Sequence, residues 1–209
     1  MPPKFVRPCI PAARKSVPHG AGWLHEPKLD GYRLQVAKEG RLVRLYSKGG
    51  YDWTKRLARL ADALTGIPSR SAVIDAEFVF PGASGVPDFG GLRTAFGVGR
   101  QDELAVFAFD LMHRDGADLT GLPLSERRKR LERLLVQSDL PCLHLVRCFD
   151  DGAALFIAVE RHGLEGIVSK RHASPYRSGL SRDWVKTKTA AWREANRERW
   201  RMFERPGSK

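Results

Sequence analysis

The chain is short of cysteine, short of acid and without long apolar runs. Cys9, Cys142 and Cys148 are its three cysteines in 209 residues, and none stands at a metal-ligand spacing. That excludes a disulfide-stapled scaffold and a thiolate zinc site, and it fits a reducing cytoplasm. The six histidines show no ligand spacing either; they are expected to be surface or satisfied side chains, with His25 the one near a candidate pocket. No stretch approaches the roughly 18 apolar residues of a membrane span. The opening Met1-Pro2-Pro3-Lys4-Phe5 lacks the apolar core of a signal peptide. A cytoplasmic protein without a membrane partner is therefore expected. Internal repeats and low-complexity linkers are absent as well.

What the chain does have is positive charge. Lysine and arginine number 36 against 24 acids, a net charge of +12, which favours a polyphosphate or an anionic polymer as partner. A hydrophobic content of 42% suffices for one domain with a full core. Residues 1–22 carry five prolines and are expected to run extended with little regular structure. Patterning predicts strands at 23–28, 32–38, 41–47, 72–80, 104–111, 165–170 and 183–188. Helices are expected at 54–64, 92–96, 125–136 and 153–161, with a Gly-rich loop at 81–91 and a basic helical tail at 192–205. Strands and helices mix without strict βαβ alternation, so the fold class is α+β with mostly antiparallel sheets flanked by helices.

Six short runs carry the chemistry. In Glu26-Pro27-Lys28-Leu29-Asp30-Gly31-Tyr32-Arg33, Lys28 at a strand end is the candidate nucleophile. A free lysine titrates near ~10.4, so positive neighbours or a metal must help to free its amine. Asp30-Gly31 suggests a turn letting backbone approach a ligand, and Arg33 offers a fork for ribose or phosphate. Ser47-Lys48-Gly49-Gly50 suits ribose, phosphate or nucleic-acid backbone. Asp75 and Glu77 share a strand face and need partners: ribose hydroxyls, Mg²⁺ or an internal cation. Phe107 and Phe109 share the opposite face to Asp110, placing an aromatic where a purine can stack. Glu165-Gly166-Ile167-Val168-Ser169-Lys170 joins an acid to a glycine expected to admit a ligand. Lys186 and Lys188 share one side of a strand, a repulsive pairing unless an anion lies between them, and their field would depress a nearby lysine.

Taken in this order, the six runs resemble the adenylation domain of ATP-dependent DNA ligases, and most closely the bacterial type found in the ligase module of non-homologous end-joining proteins. The resemblance spans Pro8 to Thr189. It implies an ATP-grasp-like nucleotidyltransferase domain at 1–191, a basic C-terminal extension at 192–209, and no OB-fold domain within this chain. It further implies that Lys28 attacks ATP and carries AMP as a phosphoramidate, which then passes to a 5′-phosphate so that a nick is sealed. Glu165 and Glu77 would hold Mg²⁺, with Mn²⁺ as the alternative. Lys186 and Lys188 would grip the α-phosphate, Arg33 ribose or phosphate, and Phe109 the adenine. Ser47 and Lys48 complete the nucleotide site, although Lys48-Gly49 stands where these ligases usually carry arginine and asparagine. Glu26 would accept from the adenine N6 amino group and disfavour guanine O6.

The expected partners are nicked or broken double-stranded DNA and a separate OB-fold or end-joining protein, with the chain itself monomeric and nucleoid-associated in a bacterium. Two alternatives stand beside this reading. One is a degenerate module that binds DNA ends or nicks without sealing them; the other is an RNA ligase with the same lysine chemistry.

Overall fold

The computed structural model describes residues 4–82, 91, 92, 94 and 103–195. The expected loop at 81–91, helix at 92–96 and tail at 192–205 fall largely outside them. Two sheets organise the rest. The first contains β1 (Cys9–Ala13), β2 (Trp23–Pro27), β9 (Gly166–Arg171) and β10 (Gly179–Lys188), in the order β1-β10-β9-β2. The second runs β4 (Leu42–Ser47), β3 (Tyr32–Glu39), β5 (Ser71–Val79), β6 (Ala105–Arg114), β7 (Ala117–Asp118), with β8 (Leu143–Leu145) beside β6. The β1–β10 and β6–β8 pairs are parallel and the others antiparallel, matching the expected α+β class.

Four helices accompany the sheets among the described residues: α1 (Ala58–Leu64), α2 (Leu124–Ser138), α3 (Gly152–Arg161) and α4 (Ala190–Ala195). The main core lies under the second sheet, where Leu60 and Leu64 of α1 and Leu131 and Leu134 of α2 join Leu34, Ile74 and Leu111 from the strands. A second cluster joins the sheets, taking Cys9, Tyr176 and Trp184 from one side and Val73, Phe109 and Met112 from the other. α3 closes over β9 through Leu155, Val159 and Ile167. Its first turn is capped by Asp151, which accepts from the Ala154 amide at 2.9 Å. No described helix is long and apolar enough to cross a membrane.

Two expectations need correction. The proline-rich opening is not irregular throughout, because Cys9–Ala13 pairs along β10. Pro11 is tolerated there since β1 is an edge strand and the register shifts beside it. The first helix starts later than expected because its start signal serves the preceding turn. Asp52 accepts from the Thr54 amide at 2.9 Å, and Thr54 Oγ1 accepts from the Leu45 amide at 3.0 Å.

Candidate active site

Strand register builds the centre of the site. Pro27 pairs with Ile167 and Lys188 with Gly166, so β9 lies between the end of β2 and the end of β10. The Lys28 amide continues the ladder, donating to Gly166 O at 2.8 Å. Side chains from three distant segments then converge. Lys28 Nζ lies 2.7 Å from Glu165 Oε2, and Lys188 Nζ lies 2.8 Å from Glu165 Oε1. The Lys28 side chain is 23% exposed and Glu165 only 4%, so a buried carboxylate aims an amine that solvent can still reach. Lys188 also lies 3.7 Å from the Trp192 ring centre.

Of the two glycines expected to admit a ligand, Gly31 lines the cavity beside Lys28 and Gly166 does not. A Cβ on Gly166 would meet Thr187 O at 2.1 Å and Lys188 Cα at 2.8 Å; one on Gly31 would meet Phe78 O at 2.4 Å. Each glycine lets neighbouring backbone approach closely.

A cavity of about 530 Å³ opens beside Lys28 between the two sheets. Glu26, Arg33, Ser47, Lys48, Glu77, Phe109 and Lys186 all line it with Lys28; Glu165 and Lys188 stand outside the lining, Glu165 touching Lys28 and Lys188 touching Glu165. A β-bulge points Phe109 inward. Asp75 opposes Asp110 and Ala76 opposes Ala108, leaving Phe109 as the extra residue of β6. Ser47 Oγ accepts from the Tyr51 amide at 3.1 Å, and Gly50 turns the chain at φ +84°. His25 does not join the lining: it is buried with Nδ1 2.8 Å from Ser169 Oγ.

Electrostatics divide the two β5 acids. Asp75 holds Arg33 Nε and Nη2, each at 2.6 Å, and accepts from Tyr176 Oη at 2.5 Å. The internal-cation option is thus realised for Asp75, and Arg33 presents to the cavity a guanidinium already held on one edge. It also lies 4.7 Å from the Phe109 ring centre. Glu77 differs: burial pushes its carboxyl up to about 7, against the opposing pull of Lys28 and Arg33. Lys186 is pushed down from the usual lysine range, first by burial and then by Lys188, Lys28 and Lys48.

No cluster of three or more metal-type side chains exists among the described residues. Glu77 and Glu165 nevertheless fit Mg²⁺, which commonly takes one or two carboxylates and completes its shell with water and substrate phosphates. Glu77 and Glu165 feel each other's charge, and Lys28 acts on both. They offer hard oxygen donors beside Lys28.

Two buried cations at the site were not assigned roles from sequence. Glu26 pairs with Arg128 through Oε1 and with Lys170 through Oε2, the latter at 2.5 Å. Lys170 Nζ sits 4.4 Å from the Phe109 ring centre and 4.2 Å from that of Trp184. Lys170 was visible as the cation closing the Glu165 run. Arg128 lay inside the charged run 125–133, which reads as a helix face turned to solvent; only its distant partners distinguish it.

Comparison with known proteins agrees with this geometry. The family model described as ATP dependent DNA ligase domain matches residues 9–188. The multifunctional non-homologous end joining protein LigD of Pseudomonas aeruginosa is 39% identical over 187 residues, covering 89% of this chain and 22% of that protein. The chain therefore spans about a fifth of that relative. Among solved structures, the ligase domain of Mycobacterium tuberculosis LigD superposes with a TM-score of 0.76 at 34% identity, over 87% of this chain and 60% of that one. A mycobacterial DNA ligase D complexed with ATP and MES gives 0.74 at 34% identity, over 87% and 59%. With the family match extending over all of its described strands, the chain belongs to the ATP-dependent DNA ligase domain family.

Proposed function

We propose that this chain is the adenylating part of an ATP-dependent DNA ligase, with Lys28 as the nucleophile that accepts AMP and passes it to a 5′-phosphate at a nick. The observation that carries this reading is the convergence of Glu165 and Lys188 on Lys28, which lines a cavity together with Phe109, Glu77 and Lys186. A lysine amine held at one carboxylate, with further cations close by, suits attack on a phosphoryl group better than simple anion binding.

In the first step the Lys28 Nζ–P bond forms as the P–O bond to the β-phosphate breaks. The electron pair departs on pyrophosphate, and the amine protons pass to solvent. Glu165 orients the amine, and Lys186 and Lys188 offset charge on the α-phosphate. Phe109 supplies a stacking face for adenine, Arg33 and Ser47 the ribose side, and Lys48 a cation at the rim. Glu26 presents an acceptor to the base edge. Mg²⁺, or Mn²⁺ in its place, would be held by Glu165 and Glu77 and, when bound, would neutralise charge on the phosphates. In the second step the 5′-phosphate of a nick takes AMP from Lys28. The 3′-hydroxyl then displaces AMP and closes the backbone. The net charge of +12 favours such a polyanionic partner.

Incubation with ATP labelled at the α-phosphate and Mg²⁺ or Mn²⁺ should yield protein-bound label that survives denaturation and is missing from Lys28→Ala. Absence of label at saturating ATP with either metal would overturn the reading. Nicked DNA and nicked RNA offered together to labelled protein separate the two ligase classes.

A further inference from the structure

Arg127 and Arg128 are consecutive on α2, both nearly or fully buried, yet their partners differ in kind. Arg127 grips Asp110 with Nε at 2.7 Å and Nη2 at 2.8 Å, and its Nη1 donates to Leu122 O at 2.6 Å and Ser174 O at 2.9 Å. None of these partners lines the cavity. Arg128 Nη1 donates to Glu26 Oε1 and, at 3.1 Å, to Phe109 O, while its Nη2 donates to Val146 O at 2.6 Å. All three partners line the cavity, and Arg128 itself does not.

We infer that Arg128 is a positioning residue for the nucleotide base: from behind the wall it fixes Glu26, Phe109 and Val146 relative to one another. This rests on the adenylation reading above. The three partners come from β2, from the bulge of β6 and from the segment after β8, which are not consecutive along the chain. Lys170 also bridges Glu26 and the Phe109 ring, and Arg128 adds a direct bond to the Phe109 backbone and one to Val146, so that ring, acceptor and Val146 do not shift independently. A planar guanidinium satisfies three acceptors at once with little lost freedom per bond, which an ammonium cannot match. Arg128 on one oxygen and Lys170 on the other hold the Glu26 carboxylate in a fixed orientation toward the base. Arg127 performs the same kind of clamping away from the cavity, as an internal control built into the same helix.

The test compares Arg128→Met and Arg128→Lys with Arg127→Lys, measuring single-turnover labelling of Lys28 across ATP concentrations, and then with GTP, alongside thermal unfolding. The Arg128 variants should raise the ATP concentration for half-maximal rate by about tenfold or more, with the maximal rate little changed and the preference for ATP over GTP reduced. Arg127→Lys should lower the unfolding midpoint while leaving both the half-maximal concentration and base preference near wild type. Should Arg128→Met fail to fold, Arg128→Lys retains the charge and carries the same comparison. Equal half-maximal concentrations and base preference in the Arg128 and wild-type proteins would overturn the inference, as would the same losses in Arg127→Lys. Failure of the wild-type protein itself to take label would instead overturn the adenylation reading.

Discussion

Lys28 Nζ donates to Glu165 Oε2 at 2.7 Å across 137 positions of sequence. Lys188 holds the other oxygen of the same carboxylate, so one buried acid sets the positions of two cations from distant segments. The repulsion expected between Lys186 and Lys188 is relieved on the Lys188 side by this pairing. Lys186 remains on the cavity wall, below its usual titration range.

Glu165→Gln should therefore disturb two amines at once. Breaking a buried pair costs about 3–5 kcal/mol, but the Lys28 and Lys188 side chains are 23% and 19% exposed and can rehydrate, which reduces the loss to about 1–2 kcal/mol. Lys28 labelling should fall at least about tenfold because the amine is no longer aimed. Thermal unfolding and label incorporation, measured on the same preparation, check both parts.

Glu77 predicts a pH dependence. Burial raises its folded carboxyl to about 7 from 4.5, so between those values the folded state holds a proton that the unfolded chain has released. Its contribution to stability is present at low pH, declines as pH rises through this window, and is fully lost above about pH 7. Glu77→Gln should flatten that decline and leave the variant more stable than wild type at about pH 8. Metal-dependent labelling should move oppositely, rising as Glu77 ionises; unfolding midpoints and labelling rates across pH measure the two trends.

Gly166→Ala should damage the site through the backbone. The added methyl would lie 2.1 Å from Thr187 O and 2.8 Å from Lys188 Cα, forcing β9 and β10 apart where Glu165 and Lys188 meet. A loss of about 2–4 kcal/mol is expected, together with a sharp fall in Lys28 labelling. Gly163→Ala, with nothing within 4 Å of its Cβ, separates clash from conformational preference because its φ of +66° brings backbone strain alone. Chemical denaturation of both variants is the measurement.

Phe109→Leu tests stacking while nearly preserving volume. The ring is 8% exposed and carries Arg33 and Lys170 over it at 4.7 and 4.4 Å. Loss of the aromatic face should raise the ATP requirement about fivefold to a hundredfold, in line with base stacking worth about 1–3 kcal/mol. Labelling rate against ATP concentration reads this directly, and Phe109→Trp should retain more of the wild-type affinity.

The strand-borne runs were legible because their information is local. Alternation placed Lys28 at the end of one strand, put Phe109 near the end of another, and set Lys186 and Lys188 on one side of a third. The order of those runs was enough to suggest the family. The first strand escaped notice because prolines argue against structure until a partner is known, and its partner β10 comes from the far end of the chain. The start of α1 was misplaced because Asp52 and Thr54 look alike whether they cap a helix or tie a turn.

Sequence alone determined which side chains were available and, outside the bulge at Phe109, which strand face each occupied, since a period of two follows from backbone geometry. Only the tertiary structure decided their partners. It gave Asp75 to Arg33 and left Glu77 with a raised carboxyl, set Gly31 and Gly166 against neighbouring backbone, and drew Arg128 out of a run of charges to hold Glu26, Phe109 and Val146 of the cavity wall. The reason is that burial makes an ionic partner obligatory without naming it; strand register and helix packing, set across the whole chain, make that choice.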